Sequence, residues 1–384
     1  MVLHSFPQTA SGAIVANTNY PPQSGGENTS PPIDGFMEYE DLVTMGYEGT
    51  WFDLDFLQRI PLTVNAGQVA SPQTDFPILI NDTYPDLIGE VEAEIRITDG
   101  DSNLLDYEIE EFDNSTGLLT AWARKPTLTD SDVLFIYFDN AGASDAQNVT
   151  GVWDSTYAMV IHMDPTLLDS TSNNNDGANS GTTDIAGKLA RGRDFAGSNP
   201  QITVADSPSL DMTDKVTLSA WVKTTRNFGY VVGKEIVAAI TSYFMRVGTA
   251  TESGSPKIRF GIETAAGTVN LNGGTNVSST DFSYIVATYD GAFMKVYLDG
   301  VFNGQTSQTG DILSETVDLQ IGTRESGGLD MDGIIDEVRV ARDVARTADY
   351  ILTEFNNQNS QSTFYTTGAV QNVADVGGNM EYEV

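Results

Sequence analysis

The sequence predicts an all-β protein: two antiparallel β-sandwiches in tandem, with an extended arm at each end. Three observations carry this. Between Trp51 and Phe355 the chain is a succession of short β-runs divided by turn clusters, with no sustained helical period. Asp299-Gly300 joins two alternating runs, the strongest short hairpin signal there is. Both ends are rich in Pro, Gly, Asn, Gln and Ser, a composition that cannot bury enough surface to fold alone.

Residues 1–48 form the first arm, marked by Pro21-Pro22, Gly25-Gly26 and Pro31-Pro32. The first sandwich spans 49–164. Its strands are read at Gln58–Val64, Phe76–Ile80, Glu92–Ile97, Leu119–Arg124 and Val133–Phe138, and Met159–Met163 alternates as well. The second spans 165–357, with strands at Val216–Val222, Lys257–Ile262, Tyr284–Tyr289, Phe293–Leu298 and Ile334–Val340. Thr347–Phe355 reads as one short helix. Residues 358–384 are read as a peptide tail.

Within 384 residues, 19 Lys and Arg oppose 54 Asp and Glu, a formal charge of −35. Phosphate would be repelled, which excludes nucleic-acid binding by charge attraction. There is no cysteine and only two histidines, His4 and His162, so disulfides, thiolate zinc sites and histidine-rich metal sites are excluded. No run of 18 apolar residues exists to span a membrane as a helix. The start carries no signal-peptide pattern, which implies synthesis in the cytoplasm. Such acidity suits a high-salt medium, where self-repulsion is screened, or a calcium-bearing extracellular module, or an ordinary acidic protein kept soluble by charge.

The second block resembles the laminin-G-like branch of the concanavalin A-type lectin and glucanase fold, a jelly roll. Six motifs stand in the family's order. They are Asp169-Ser170-Thr171-Ser172-Asn173-Asn174-Asn175-Asp176-Gly177, Gly187-Lys188 with Arg193-Asp194-Phe195-Ala196-Gly197, and Ser209-Leu210-Asp211 leading to Ser219-Ala220-Trp221-Val222-Lys223. Then come Ala287-Thr288-Tyr289-Asp290-Gly291, Val296-Tyr297-Leu298-Asp299-Gly300 and Gly333-Ile334-Ile335-Asp336-Glu337-Val338-Arg339-Val340. Where the family usually has a Trp-His-His strand, this chain has Phe282-Ser283-Tyr284. The first block, through Arg59-Ile60-Pro61-Leu62-Thr63, Ala121-Trp122-Ala123-Arg124-Lys125-Pro126 and Gly151-Val152-Trp153-Asp154, resembles an uncharacterised β-domain that often precedes such modules (domain of unknown function 2341).

The resemblance implies a structural calcium held by Asp336 with the Asp169 loop and backbone oxygens near Gly197; Asp330 and Asp332 are second candidates. Hard oxygen ligands suit Ca²⁺. Glycan contact would fall to rim residues Phe228, Tyr230, Tyr243 and Arg324, which could equally be core or subunit interface. Glucanases on this fold carry Glu-x-Asp-x-Glu on one strand, and the second block has no such run. Glu108 and Glu110 share a strand face in the first block, where a solvated acidic surface is expected. His162 is expected to be a packed or interface histidine.

The expected function is therefore a non-enzymatic virion surface protein: a spike, turret, fibre or decoration. It would be a homo-oligomer whose arms dock on other virion proteins and whose laminin-G-like domain binds host-surface glycans. A secreted adhesin or carbohydrate-binding module is the first alternative, and a glycosidase with unrecognised carboxylates the second.

Overall fold

The computed structural model describes residues 51–373 apart from 198, 225, 237–239, 249–255 and 326. Within residues 1–50 it describes only β1 (Leu3–His4), β2 (Ile14–Ala16) and β3 (Phe36–Met37), paired as a small antiparallel sheet. The rest of the expected N-terminal arm, and residues 374–384 of the expected tail, lie outside the described residues.

The first sandwich is built from β4 (Gln58–Val64), β5 (Gln73–Thr83), β6 (Arg96–Asp99), β7 (Tyr107–Asp113), β8 (Leu118–Leu128) and β9 (Val133–Phe138). Between β6 and its expected start at Glu92 the chain makes a 3-10 turn, Glu92–Glu94. A short helix, α1 (Val149–Val152), then leads to β10 (Tyr157–Ile161). β10 does not belong to the first sandwich: it pairs with a strand of the second, so the boundary lies before residue 157 rather than at 164.

The second sandwich continues with β11 (Gly177–Ser180), β12 (Thr183–Ala186), β13 (Arg191–Asp194), β14 (Gln201–Val204), β15 (Val216–Thr224), β16 (Gly229–Ile236), β17 (Ile240–Val247) and β18 (Lys257–Thr264). It closes with β19 (Gly267–Asn276), β20 (Ser283–Tyr289), β21 (Phe293–Leu298), β22 (Val301–Ser307), β23 (Leu319–Ile321) and β24 (Gly333–Arg342). One sheet runs β12-β13-β24-β15-β20-β21-β22, with β10 also on β24; the facing sheet runs β11-β14-β23-β16-β17-β18-β19. Their inner faces, from Val216, Leu218 and Ala220 to Met245, Phe260 and Ile262, make one apolar core. Asp299 and Gly300 both adopt positive φ, as a two-residue hairpin between β21 and β22 requires.

The C-terminal segment is the largest departure from expectation. Helix α2 (Ala348–Asn359), capped by the Thr347 hydroxyl, is followed by α3 (Gln361–Phe364), β25 (Tyr365–Thr367) and β26 (Gln371–Asn372). β25 and β26 pair with β4, so the chain returns to complete the first sandwich, whose five-stranded sheet faces the three strands β5-β8-β7. Tyr350, Phe364 and Tyr365 enter that sandwich's core. Asn357 donates to Leu79 O at 3.0 Å and accepts from Leu79 N at 2.7 Å, covering part of the free edge of β5. Residues 358–372 are therefore structural, not a free tail.

Candidate functional site

The residues nominated for calcium are held by other partners. Asp169 accepts backbone N–H bonds from Val160, Thr171 and Asn175 and the Thr171 hydroxyl, so four donors already occupy its oxygens. It organises its own loop. Asp336 Oδ2 accepts from Lys188 N at 2.7 Å and Leu189 N at 2.9 Å, and a Cβ on Gly187 would lie 2.5 Å from that oxygen. The Gly187-Lys188 motif and the closing Asp336 motif thus form one loop-to-strand clamp. Its Oδ1 is buried without a partner, and burial, with Glu337 and Glu110 nearby, pushes the carboxyl's pKa far up toward the neutral form. Gly197 is exposed, and a Cβ added there would meet nothing within 4 Å. Asp330 accepts from the Thr323 hydroxyl and Asp332 pairs with Arg226. This donor set does not fit Ca²⁺, which needs six to eight oxygens free to converge. EDTA is accordingly expected to leave the melting temperature unchanged; a fall on chelation would show a bound ion.

Glu108, Glu110 and His162 behave as one unit, and their surface is not solvated. β24 carries a bulge: Trp221 faces Asp336 and Ser219 faces Arg339, with Glu337 at φ 52° in between. Ile335, Val338 and Val340 consequently reach the core, while Glu337 and Arg339 both emerge on the outer face. There the residue that follows β10, His162, meets the two glutamates that β7 of the first sandwich brings. His162 Nδ1 lies 2.7 Å from Glu337 Oε1 and Nε2 lies 3.0 Å from Glu108 Oε1, so an imidazolium donates from both nitrogens. Trp153 donates to Glu108 at 2.7 Å and Trp122 to Glu110 at 3.0 Å. Arg339 forks between Glu337 (2.6 Å) and Glu354 of α2 (2.8 Å), its guanidinium 4.3 Å from the Trp122 ring centroid.

Four carboxyls, Glu108, Glu110, Glu337 and Glu354, meet two cations in this node, and protonation reduces the excess. Burial pushes Glu110 up to about 8 against the pull of His162, and its Oε1 has no partner. Burial alone would depress His162, but Glu337, Glu108 and Glu110 hold its pKa well above normal. Burial acts upward on Glu337 too, but His162 and Arg339 override it and lower its pKa. Glu110, His162 and Glu337 place ligand-type atoms within 4.8 Å of one another. Both imidazole nitrogens are nonetheless committed to carboxylates, so the group reads as an ion-pair node between sandwiches.

A pH dependence follows. A carboxyl whose folded pKa is raised stabilises the fold below its unfolded pKa, near 4.5, and loses that contribution as pH rises to about 8. His162 contributes fully below 6.5 and loses that contribution progressively as pH rises from there to its raised folded value, while the Glu337 contribution is lost as pH falls through its lowered one. Melting temperature is expected to decline from pH 5 to 8, and Glu110→Gln to flatten that slope. An unchanged slope in the variant would assign the decline elsewhere.

The first sandwich and α2 cover the outer face of the β24 sheet; the outer face of the facing sheet is where the glycan candidates fall. Tyr243 is not among its surface groups: it points into the core, and its hydroxyl donates to Leu210 O. Tyr230 lies on the outer face but is fully buried, so neither ring is free to stack on a sugar. Phe228 is half-buried, as is Arg324, whose Nε donates to Gly327 O. The register sets Tyr230 opposite Arg246, Arg246 opposite Arg259, and Arg259 opposite Asn272, one row across four strands. The Phe244 ring lies against Gly261, where any Cβ would collide with it, and Arg246 stacks 4.6 Å from its centroid.

Residues 195–352 match the model of the concanavalin A-like lectin/glucanases superfamily. The match falls on the second sandwich. No curated protein matches the chain in sequence. Among solved structures, domain 4 of AbnA, an extracellular GH43 arabinanase from Geobacillus stearothermophilus in complex with arabinotriose, is 18% identical over 52% of this chain and 98% of its own, with a TM-score of 0.42. The binding domain of Paraclostridial Mosquitocidal Protein 1 is 12% identical over 52% of each chain, TM-score 0.42. The botulinum neurotoxin serotype D ligand-binding domain, in complex with N-acetylneuraminic acid, is 10% identical over 55% and 53%, TM-score 0.42. The chain spans about half the length of these toxin chains.

In the lectin-like sandwich the sequence reading missed Arg246, Arg259 and Glu235. Strand alternation could have found them: Met245-Arg246-Val247 and Ile258-Arg259-Phe260 each place an arginine between core residues. Their meeting depends on register, which only the folded sheet sets.

Proposed function

We propose that the protein is a non-enzymatic saccharide-binding surface protein, which binds through the outer face of the β16-β17-β18-β19 sheet. One observation carries this reading. In the sandwich matched by the lectin/glucanase model, one sheet is buried under the first sandwich and α2, while the other presents arginine and asparagine side chains. Recognition there is polar, because Tyr230 and Phe244 are covered. The carboxylates that would serve a glycosidase, Glu108 and Glu110, are walled in by Trp122, Trp153 and His162. Binding of the full chain to a panel of immobilised polysaccharides tests the proposal, with reducing-sugar release measured on the same panel. Retention without release is the expected result; release would favour an enzyme.

The setting we propose is a virion surface, with the protein present as a homo-oligomer, on the strength of its acidity and the Pro-, Gly-, Asn- and Ser-rich composition of residues 1–48. Antibody labelling of purified particles tests the location, and light-scattering mass tests the assembly.

A further inference from the structure

We infer that the saccharide bound on this sheet is acidic, and that Arg246 and Arg259 grip its carboxylate or sulfate group with Arg324 beside them. The inference rests on the saccharide-binding reading above and names its ligand class. Arg246 and Arg259 stand directly opposite each other on adjacent strands, an arrangement in which like charges repel. Burial and the charge of Arg259 both depress the pKa of Arg246, so the repulsion is felt. A chain with 54 acidic residues leaves these guanidinium groups without an acidic partner: among the described residues, no carboxylate lies within ion-pair distance of Arg246, Arg259 or Arg324.

Further polar atoms in the cluster are buried and unsatisfied. The Tyr230 hydroxyl has no hydrogen-bond partner although the residue is fully buried, and three further buried atoms, Glu235 Oε2, Arg246 Nε and Arg259 Nε, have none either, on residues that are themselves buried (Glu235) or half-buried (Arg246, Arg259). Among the described residues, Glu235 is the acid that feels the charge of all three arginines, and burial pushes its pKa up despite them. The cluster therefore keeps a net positive charge on an otherwise strongly negative protein. Buried polar groups of this kind call for a partner, and a planar carboxylate or a sulfate matches paired guanidinium forks. Asn272, exposed at the end of the row and accepting from Arg259 Nη1 at 3.3 Å, is placed to meet ring hydroxyls.

The test uses the full chain and matched polysaccharide pairs: heparin against fully desulfated heparin, and polygalacturonate against its methyl ester, with neutral arabinan as a fifth probe. The heparin pair reads sulfate and the polygalacturonate pair reads carboxylate. The acidic member of at least one pair is expected to bind tenfold or more tighter than its neutralised form, and to weaken as salt rises. Arg246→Gln and Arg259→Gln are each expected to lower that binding at least tenfold, while Arg191→Gln, away from the row, leaves it unchanged. Without ligand, Arg259→Gln is expected to melt no lower than the parent, since it relieves repulsion; a purely structural arginine would lower it. If both members of each pair bind alike, or the arginine variants bind like the parent, the inference falls and the saccharide reading stands. If none of the five probes binds, the saccharide reading itself fails.

Discussion

Arg339→Ala is expected to destabilise the protein by about 3–5 kcal/mol, the cost of breaking a buried ion pair by removing one partner. The Arg339 side chain is 2% exposed and bridges Glu337 to Glu354 while lying against both Trp122 and Trp153. Its loss takes the guanidinium from two buried carboxylates and leaves a void against two indoles. Arg339→Lys keeps the charge but not the flat fork that reaches both glutamates, so an intermediate loss is expected. Urea unfolding at fixed salt measures both. A loss below about 1 kcal/mol for the alanine variant would mean that water enters the node and the two sandwiches are not held as described.

Ending the chain at Thr347 is expected to abolish cooperative folding of the first sandwich, although its own consecutive strands remain. The deletion removes Tyr350, Phe364 and Tyr365 from that core and strips β4 of its edge partners. It also takes Glu354 from Arg339 and Gln358 from the Trp221 indole. Asn357→Ala is the milder version. It leaves the Leu79 N–H and carbonyl unpaired, at roughly 1–3 kcal/mol for each buried group left unsatisfied. Near-UV circular dichroism from Trp122 and Trp153 and amide exchange in β4 and β5 report the outcome. A truncated chain that melts like the full one would return residues 348–373 to the role of an accessory tail.

The strands were legible wherever a short alternating run met a turn: Gln58–Val64, Val133–Phe138 and Phe293–Leu298 stand as read. The Thr347 start of the helix was legible as well, through its capping hydroxyl. The return of β25 and β26 was not. Tyr365 pairs with Val64, 301 residues earlier, and no local pattern in Gln-, Asn- and Ser-rich sequence encodes a partner so distant. Glu108 and Glu110 were misread for a related reason. Alternation correctly placed them on the outer face of their sheet, but that face is covered by a second sandwich. The calcium candidates differ again: the motif residues were found, and the folded loops supply Asp169 and one oxygen of Asp336 with N–H donors.

By itself the sequence determined an acidic all-β chain without thiol chemistry, and a second sandwich with lectin-like motifs in order. These are properties of composition and of period-two patterning, which act over a few residues. The tertiary structure alone decided which outward-facing charges are buried, that the C-terminal strands finish the first sandwich, and that Arg246 meets Arg259. Each of those depends on sheet register and on one sandwich covering another, contacts between residues far apart in the chain that no local run of sequence contains.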